Sequence, residues 1–165
     1  GGKRRGTRRF GRRLPGKRVA RRLRRMTMVV DAAPLVAVAD RRDRAKGTIE
    51  ALLRDEPGEL IIAAPVTAEI DYLLGNRVGR DARLAFLADL AAERFRTACL
   101  EPADYRVIAD LERRYASLDV GLADLSTVIV AAKSDTRRVL TFDERHFRVL
   151  RPLNGGTFTL LPADT

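Results

Sequence analysis

The sequence predicts a single three-layer α/β/α domain built on a mainly parallel sheet, and three observations carry that prediction. From Met28 onward, short apolar runs of strand length alternate with longer stretches of helical period, a pattern that calls for crossover connections and helices on both faces of a sheet. The 165 residues suit one domain rather than two, and a chain of that size buries well over half of its unfolded surface without a disulfide or metal to hold it. The one cysteine, Cys99, excludes a disulfide framework and a thiolate cluster for zinc or iron–sulfur. It also fits a reducing, cytoplasmic compartment.

The elements follow in order. Met28, Val29 and Val30 run as a strand onto Asp31. Residues 34–40 and 44–55 read as helices, the second with Ile49, Leu52 and Leu53 at helical spacing, and Pro57-Gly58 breaks the chain. Residues 60–64 form a second buried strand, and Pro65 suits the first turn of a helix. That helix, residues 66–77, is amphipathic. Gly79 separates it from residues 81–93, where Leu84, Leu87, Ala88 and Ala91 share one face. Residues 95–100 read as a third strand and 102–116 as a helix with Val107, Ile108 and Leu111 inward. Residues 124–132 are apolar after the leading acid except for Ser126 and Thr127, so this helix must be buried nearly all round. A β run at residues 139–142 ends at Asp143, and residues 157–161 follow the Gly155-Gly156 turn as the last strand.

The formal charge of +10 belongs to one end of the chain. Residues 1–27 hold 13 of the 32 Lys and Arg and no acid, leaving the remaining 138 residues with 19 bases against 22 acids. The opening stretch is self-repelling and poor in aliphatic residues, which predicts a disordered basic extension outside the domain. It has no apolar core of a signal peptide, and nothing after Thr27 approaches a membrane-spanning length. The expected organisation is therefore an extension over residues 1–27, a domain over 28–162 and a short tail over 163–165. An alternative role for the extension is an electrostatic arm that holds RNA, DNA or ribosomes through phosphates.

In parallel α/β sheets, ligands bind beyond the carboxyl ends of the strands. Two strands end on acids there, Asp31 and Asp143. Winding the helix after the second strand at about 100° per residue puts Glu69 beside Val66, Ile70 and Leu73, on the flank of the buried face, with Asp71 on the watered side. Asp124 opens the apolar helix. Taken singly, Asp31, Asp124 and Asp143 read as helix N-caps, each contributing about 1 kcal/mol, and Glu69 as a solvated helix residue. Taken together, the four form a rim of like charges, and each pair about 4 Å apart repels by roughly 4 kcal/mol at an effective dielectric near 20. A divalent cation offsets such repulsion. Oxygen ligands with no His or Cys nearby favour Mg²⁺ or Mn²⁺, and the reaction such a site suits is in-line hydrolysis of a phosphodiester.

On these residues the chain resembles the PIN-domain ribonucleases, specifically the VapC toxins of bacterial type II toxin–antitoxin pairs. The matching stretches are MVVDAAPLVA, VTAEIDYLL, GLADLSTVIVAA and VLTFDERHF, closed by RPLNGGTFTLLP, within residues 28–162. The resemblance implies a Mg²⁺- or Mn²⁺-dependent endoribonuclease that cuts structured RNA such as tRNA or rRNA and halts translation. It implies homodimerisation and a cognate VapB-type antitoxin. By the same pattern Asp31, Glu69 and Asp124 are the main metal ligands, Asp143 a weaker or second-metal ligand, and Thr141 a hydroxyl two residues before it. The chain departs from the pattern at Ala32 and Ala33, where many relatives carry a hydroxyl that helps to order the metal site.

The remaining candidates have plainer readings. Asp119 is expected to be a turn residue. His146, three residues after Asp143, is expected to pack or hydrogen-bond locally, because a metal-activated water needs no imidazole. Arg77, Arg80, Arg145 and Arg148 suit phosphate contacts or a solvated face equally. Two other functions compete: non-catalytic RNA or ribosome binding through the arm, and a phosphatase with Asp31 as nucleophile. The second lacks the acid two residues on that such a site wants, since Ala33 stands there.

Overall fold

A computed structural model describes residues 26–165, so all of the basic extension except Met26 and Thr27 lies outside the described residues. The strands are β1 (Met28–Val30), β2 (Leu60–Ala63), β3 (Arg96–Ala98), β4 (Arg138–Leu140) and β5 (Thr159–Leu161). They form one sheet in the order β3-β2-β1-β4-β5, every neighbouring pair parallel. The sheet is thus fully parallel where the sequence predicted a mainly parallel one. Its apolar residues are buried as crossover helices require: β1, Ile61, Ile62, Val139, Leu140 and Leu160 are shut off from solvent.

The helices are α1 (Ala32–Ala39), α2 (Lys46–Asp55), α3 (Ala64–Arg77), α4 (Arg80–Ala91), α5 (Pro102–Arg114), α6 (Leu122–Lys133) and the one-turn α7 (Glu144–Phe147). Most begin within two residues of their predicted starts, the usual uncertainty of helix ends. Helix α6 is buried continuously from Leu125 to Ala131, as its composition requires, and packs on β1 and β2 and against α3 and α5. Ser126 and Thr127 are tolerated inside it because their hydroxyls donate to the carbonyls of Leu122 and Ala123 one turn back.

Two faces differ from the expectation. On α4 it is Phe86 that turns inward, while Leu84 and Leu87 are 52% and 49% exposed, and Ala88 and Ala91 lie outward with them. On α5, Ile108 and Leu111 are buried and Val107 is exposed. Periodicity identifies residues that share a face, but the neighbouring elements decide which face is covered.

The amino edge of the sheet is pinned to the segments around it. Met28 donates its N–H to the Glu59 carbonyl, the Thr136 hydroxyl donates to the Thr27 carbonyl, and the Arg138 guanidinium reaches both the Met26 carbonyl and Glu56. Gly58 fits here because it has no side chain: a Cβ would fall 2.2 Å from the Met26 carbonyl oxygen. The expected tail is also tied in, since Asp164 accepts from the Leu160 N–H and pairs with Arg148. Among the described residues, no helix is long and apolar enough to cross a membrane.

Candidate active site

Strand order reverses direction between β1 and β4, from which the chain departs to opposite sides of the sheet. Such a switch point opens a crevice at the carboxyl edge. Asp31 follows β1 and Asp143 closely follows β4, so the crevice is flanked by carboxylates.

Asp31 is only 8% exposed. It caps α1 by accepting the Ala32 N–H at 2.7 Å, and its second oxygen accepts the Thr141 hydroxyl at 2.7 Å. The Thr141 oxygen in turn accepts the Asp143 N–H at 3.0 Å. One hydroxyl therefore joins the two acids across the β1–β4 seam, and Thr141 supplies Asp31 with a hydroxyl partner that Ala32 and Ala33 lack. Burial pushes the Asp31 pKa up; the bonds from Thr141 and Ala32 pull it down, and the fields of Asp124 and Asp143 push it up again.

Asp124, the predicted first residue of this helix, stands at the third position of α6, which begins two residues earlier at Leu122, and its carboxylate accepts the Gly121 N–H at 3.2 Å. Its pKa is raised by burial, opposed by that backbone bond and by His146, and raised further by Asp143. Asp143 caps α7 through the His146 N–H at 3.0 Å. Glu69 projects from α3 and is exposed, yet partial burial, then Asp31 and Asp124, raise its pKa. All four acids are thus linked by mutual fields on one rim. The capping roles and the clustering are compatible: helix starts bring in Asp31, Asp124 and Asp143, and Glu69 comes from the second turn of α3.

The tightest group is different from the expected four. Among the described residues, the set whose ligand atoms all lie within 4.8 Å of one another is Asp124, Asp143 and His146. Asp31 and Glu69 stand outside it. The expectation of no His near the acids is corrected here, while the local contact expected of His146 is present with Asp143, three residues before it. Its Nδ1 lies 2.8 Å from Asp143 Oδ2 and 3.6 Å from Asp124 Oδ2. Its approach to Asp124 depends on where a one-turn helix sits, which no periodicity reveals; its spacing from Asp143 was the only signal.

Other candidates fall elsewhere. Asp71 forms a two-pronged pair with Arg83 on the watered side, and Asp119 is an exposed residue in a left-handed turn. Arg148 is taken up by Glu144 and Asp164. Arg77 and Arg80 line a cleft with Arg41 and Arg42, away from the acids.

A fully parallel α/β sheet with carboxylates gathered at the carboxyl edge of its switch point defines the class of this domain. The chain belongs to one family of that class, the PIN domain, whose model matches residues 28–151. It is 35% identical over 135 residues to Ribonuclease VapC26 of Mycobacterium tuberculosis (strain ATCC 25618 / H37Rv), across 82% of this chain and 100% of that relative. Its fold resembles the crystal structure of Mycobacterium tuberculosis VapC20, described as a sarcin-ricin loop cleaving toxin. That likeness has a TM-score of 0.66 at 20% identity and covers 71% of this chain and 90% of the other.

Proposed function

We propose that this protein is a Mg²⁺- or Mn²⁺-dependent endoribonuclease, the toxin of a toxin–antitoxin pair, that cuts structured RNA such as tRNA or rRNA and so inhibits translation. The observation that carries the reading is the group of acids at the switch point: burial and mutual fields hold the pKa values of Asp31, Glu69 and Asp124 up. The site is under electrostatic strain that a doubly charged cation relieves. The donor set fits such an ion, being carboxylate oxygens with one imidazole nitrogen at their edge.

Asp31, Glu69, Asp124 and Asp143 are the proposed ligands. The chemistry the ion supplies is neutralisation of phosphate charge and a lowered pKa for the attacking water. The chain's own groups set the geometry. Thr141 holds the Asp31 carboxylate and the Asp143 backbone in register, and the Gly121 N–H orients Asp124. The proposed surroundings are a homodimer, a cognate VapB-type antitoxin and the cytoplasm. The outward apolar face of α4, with Leu84 and Leu87, supports an interface with a second copy, because an exposed apolar patch on a helix calls for a cover.

Purified protein incubated with total RNA is expected to yield discrete mapped ends in Mg²⁺ or Mn²⁺ and none in chelator. Tight RNA binding without metal-dependent cuts would instead favour the non-catalytic, arm-binding function.

Thr141→Val tests the positioning bridge. It leaves the Asp143 N–H without its acceptor and strips Asp31 of a donor, at an expected stability loss of about 1–3 kcal/mol by thermal melt. Because the hydroxyl lowers the Asp31 pKa, its removal is expected to move the acid limb of the cleavage pH profile to higher pH, and Thr141→Ser to restore it. An unmoved limb would show that Thr141 serves the fold alone.

A further inference from the structure

We propose that His146 is a nitrogen ligand of the cation held by Asp124 and Asp143, and that it gives the site a preference for first-row transition cations such as Mn²⁺ over Mg²⁺. The inference rests on the metal-dependent reading above and extends it to the choice of ion.

The placement of Nδ1 is the first ground. It is buried and makes no hydrogen bond, although Asp143 Oδ2 lies only 2.8 Å away. The contact is short enough for a hydrogen bond, but its direction is off the line an N–H would need. Short, off-line contact between a nitrogen and a carboxylate oxygen is how two ligands on adjacent positions of one ion stand. At bond lengths of about 2.1 Å, such neighbours are about 3.0 Å apart in an octahedral shell. Asp124 Oδ2, at 3.6 Å from the same nitrogen, completes a triangle whose atoms all lie within 4.8 Å of one another.

The second ground is that the backbone of His146 is held beside the acids. The His146 N–H is fixed by Asp143 Oδ1, and its carbonyl accepts from the N–H groups of Val149 and Leu150. The same contact leaves Asp143 Oδ2 as the oxygen turned to Nδ1. In the neutral ring protonated at Nε2, the Nδ1 lone pair enters the cluster, and a ligand on a fixed backbone loses less freedom on binding.

Selectivity follows from the donor type. Mg²⁺ prefers oxygen and keeps its waters, so an imidazole adds little to its binding, whereas a transition cation gains a bond. A site of carboxylates alone would discriminate less.

The test is calorimetric titration of the full chain and of His146→Ala and Asp124→Asn with MgCl₂ and with MnCl₂, together with pulsed electron paramagnetic resonance of bound Mn²⁺. The expected result is that His146→Ala weakens Mn²⁺ binding about tenfold or more, the scale of losing a group that orders or ligates a metal, and changes Mg²⁺ binding less than about twofold. The wild-type Mn²⁺ signal is expected to show nitrogen coupling, a readout that does not depend on how the variant folds. Equal weakening of both ions, no weakening of either, or no nitrogen coupling overturns the assignment. Loss of both ions in Asp124→Asn alongside an unaffected His146→Ala would defeat the His146 ligand alone. A wild-type protein that binds neither ion would defeat the metal-dependent reading as well.

Discussion

Asp31→Asn is expected to lower metal-dependent RNA cleavage by roughly 10³-fold or more, the rate equivalent of several kcal/mol of charge stabilisation, while leaving the metal-free fold as stable as before or more so. Asn keeps the oxygen that accepts the Ala32 N–H, so the cap survives; the charge is lost, and the Thr141 hydroxyl turns from donor to acceptor toward the new amide. The direction of the stability effect follows from the raised pKa. Asp31 ionises less readily in the folded chain than its ordinary value of 3.8, so its contribution is fully present below that value and is lost as pH rises through the higher folded one. Glu69 and Asp124 act in the same direction. Asp71, Asp104 and Asp164, whose pKa values are lowered, lose their contributions only below the ordinary carboxylate range. In chelator, the wild type should therefore grow more stable as pH falls from neutrality toward the ordinary carboxylate range, and Asp31→Asn should flatten that slope. Melting curves across this range check it. Marked destabilisation of the variant in chelator would mean that Asp31 serves the fold and is not held under strain for an ion.

That strain was partly legible in the sequence, because two of the acids end apolar runs. A run of Val and Leu that stops at Asp31 or just short of Asp143 locates both a strand and its carboxyl end, and helical winding was enough to bring Glu69 to the same rim. Helix α6 was legible from its composition, since a segment apolar on all sides has no stable place except inside. Strand order was not. Nothing local in β1 or β4 states that they are neighbours, yet their adjacency lets Thr141 bridge Asp31 and Asp143. The nearness of His146 to Asp124 was hidden for a related reason: α7 has four residues, too few for a periodic signal, and it sits on Phe147 and Leu150, both nearly inaccessible to solvent. The outward face of α4 marks a third limit. Leu84 and Leu87 satisfy the same pattern that a buried face would, and only the position of α4 against α3 shows Phe86 to be the residue covered.

Stability and chemistry occupy opposite edges of this sheet, and Arg138→Ala is the substitution expected to separate them. Arg138 opens β4 and grips Glu56 with two parallel bonds of 2.7 and 3.0 Å, while the same guanidinium donates to the Met26 carbonyl. Glu56 is 4% exposed and Arg138 28%. Removing the arginine leaves a buried carboxylate with the Gly58 N–H as its remaining donor. Breaking a buried pair from one side costs about 3–5 kcal/mol, and the partial exposure of the guanidinium places the expected loss near the lower end, about 3 kcal/mol. Three chain segments that meet at the amino edge, before β1, after α2 and at the start of β4, are released together. Urea unfolding at neutral pH measures the loss; a change below about 1 kcal/mol would mean that water replaces the guanidinium freely. In Arg138→Ala/Glu56→Ala the loss should be smaller than the sum of the two single variants, since neither charge is then left alone. At a temperature where Arg138→Ala remains folded, its metal-dependent cleavage per folded molecule should match the wild type, because no group at the carboxyl edge has changed. A parallel fall in cleavage would tie the two edges together and count against a clamp confined to the amino side.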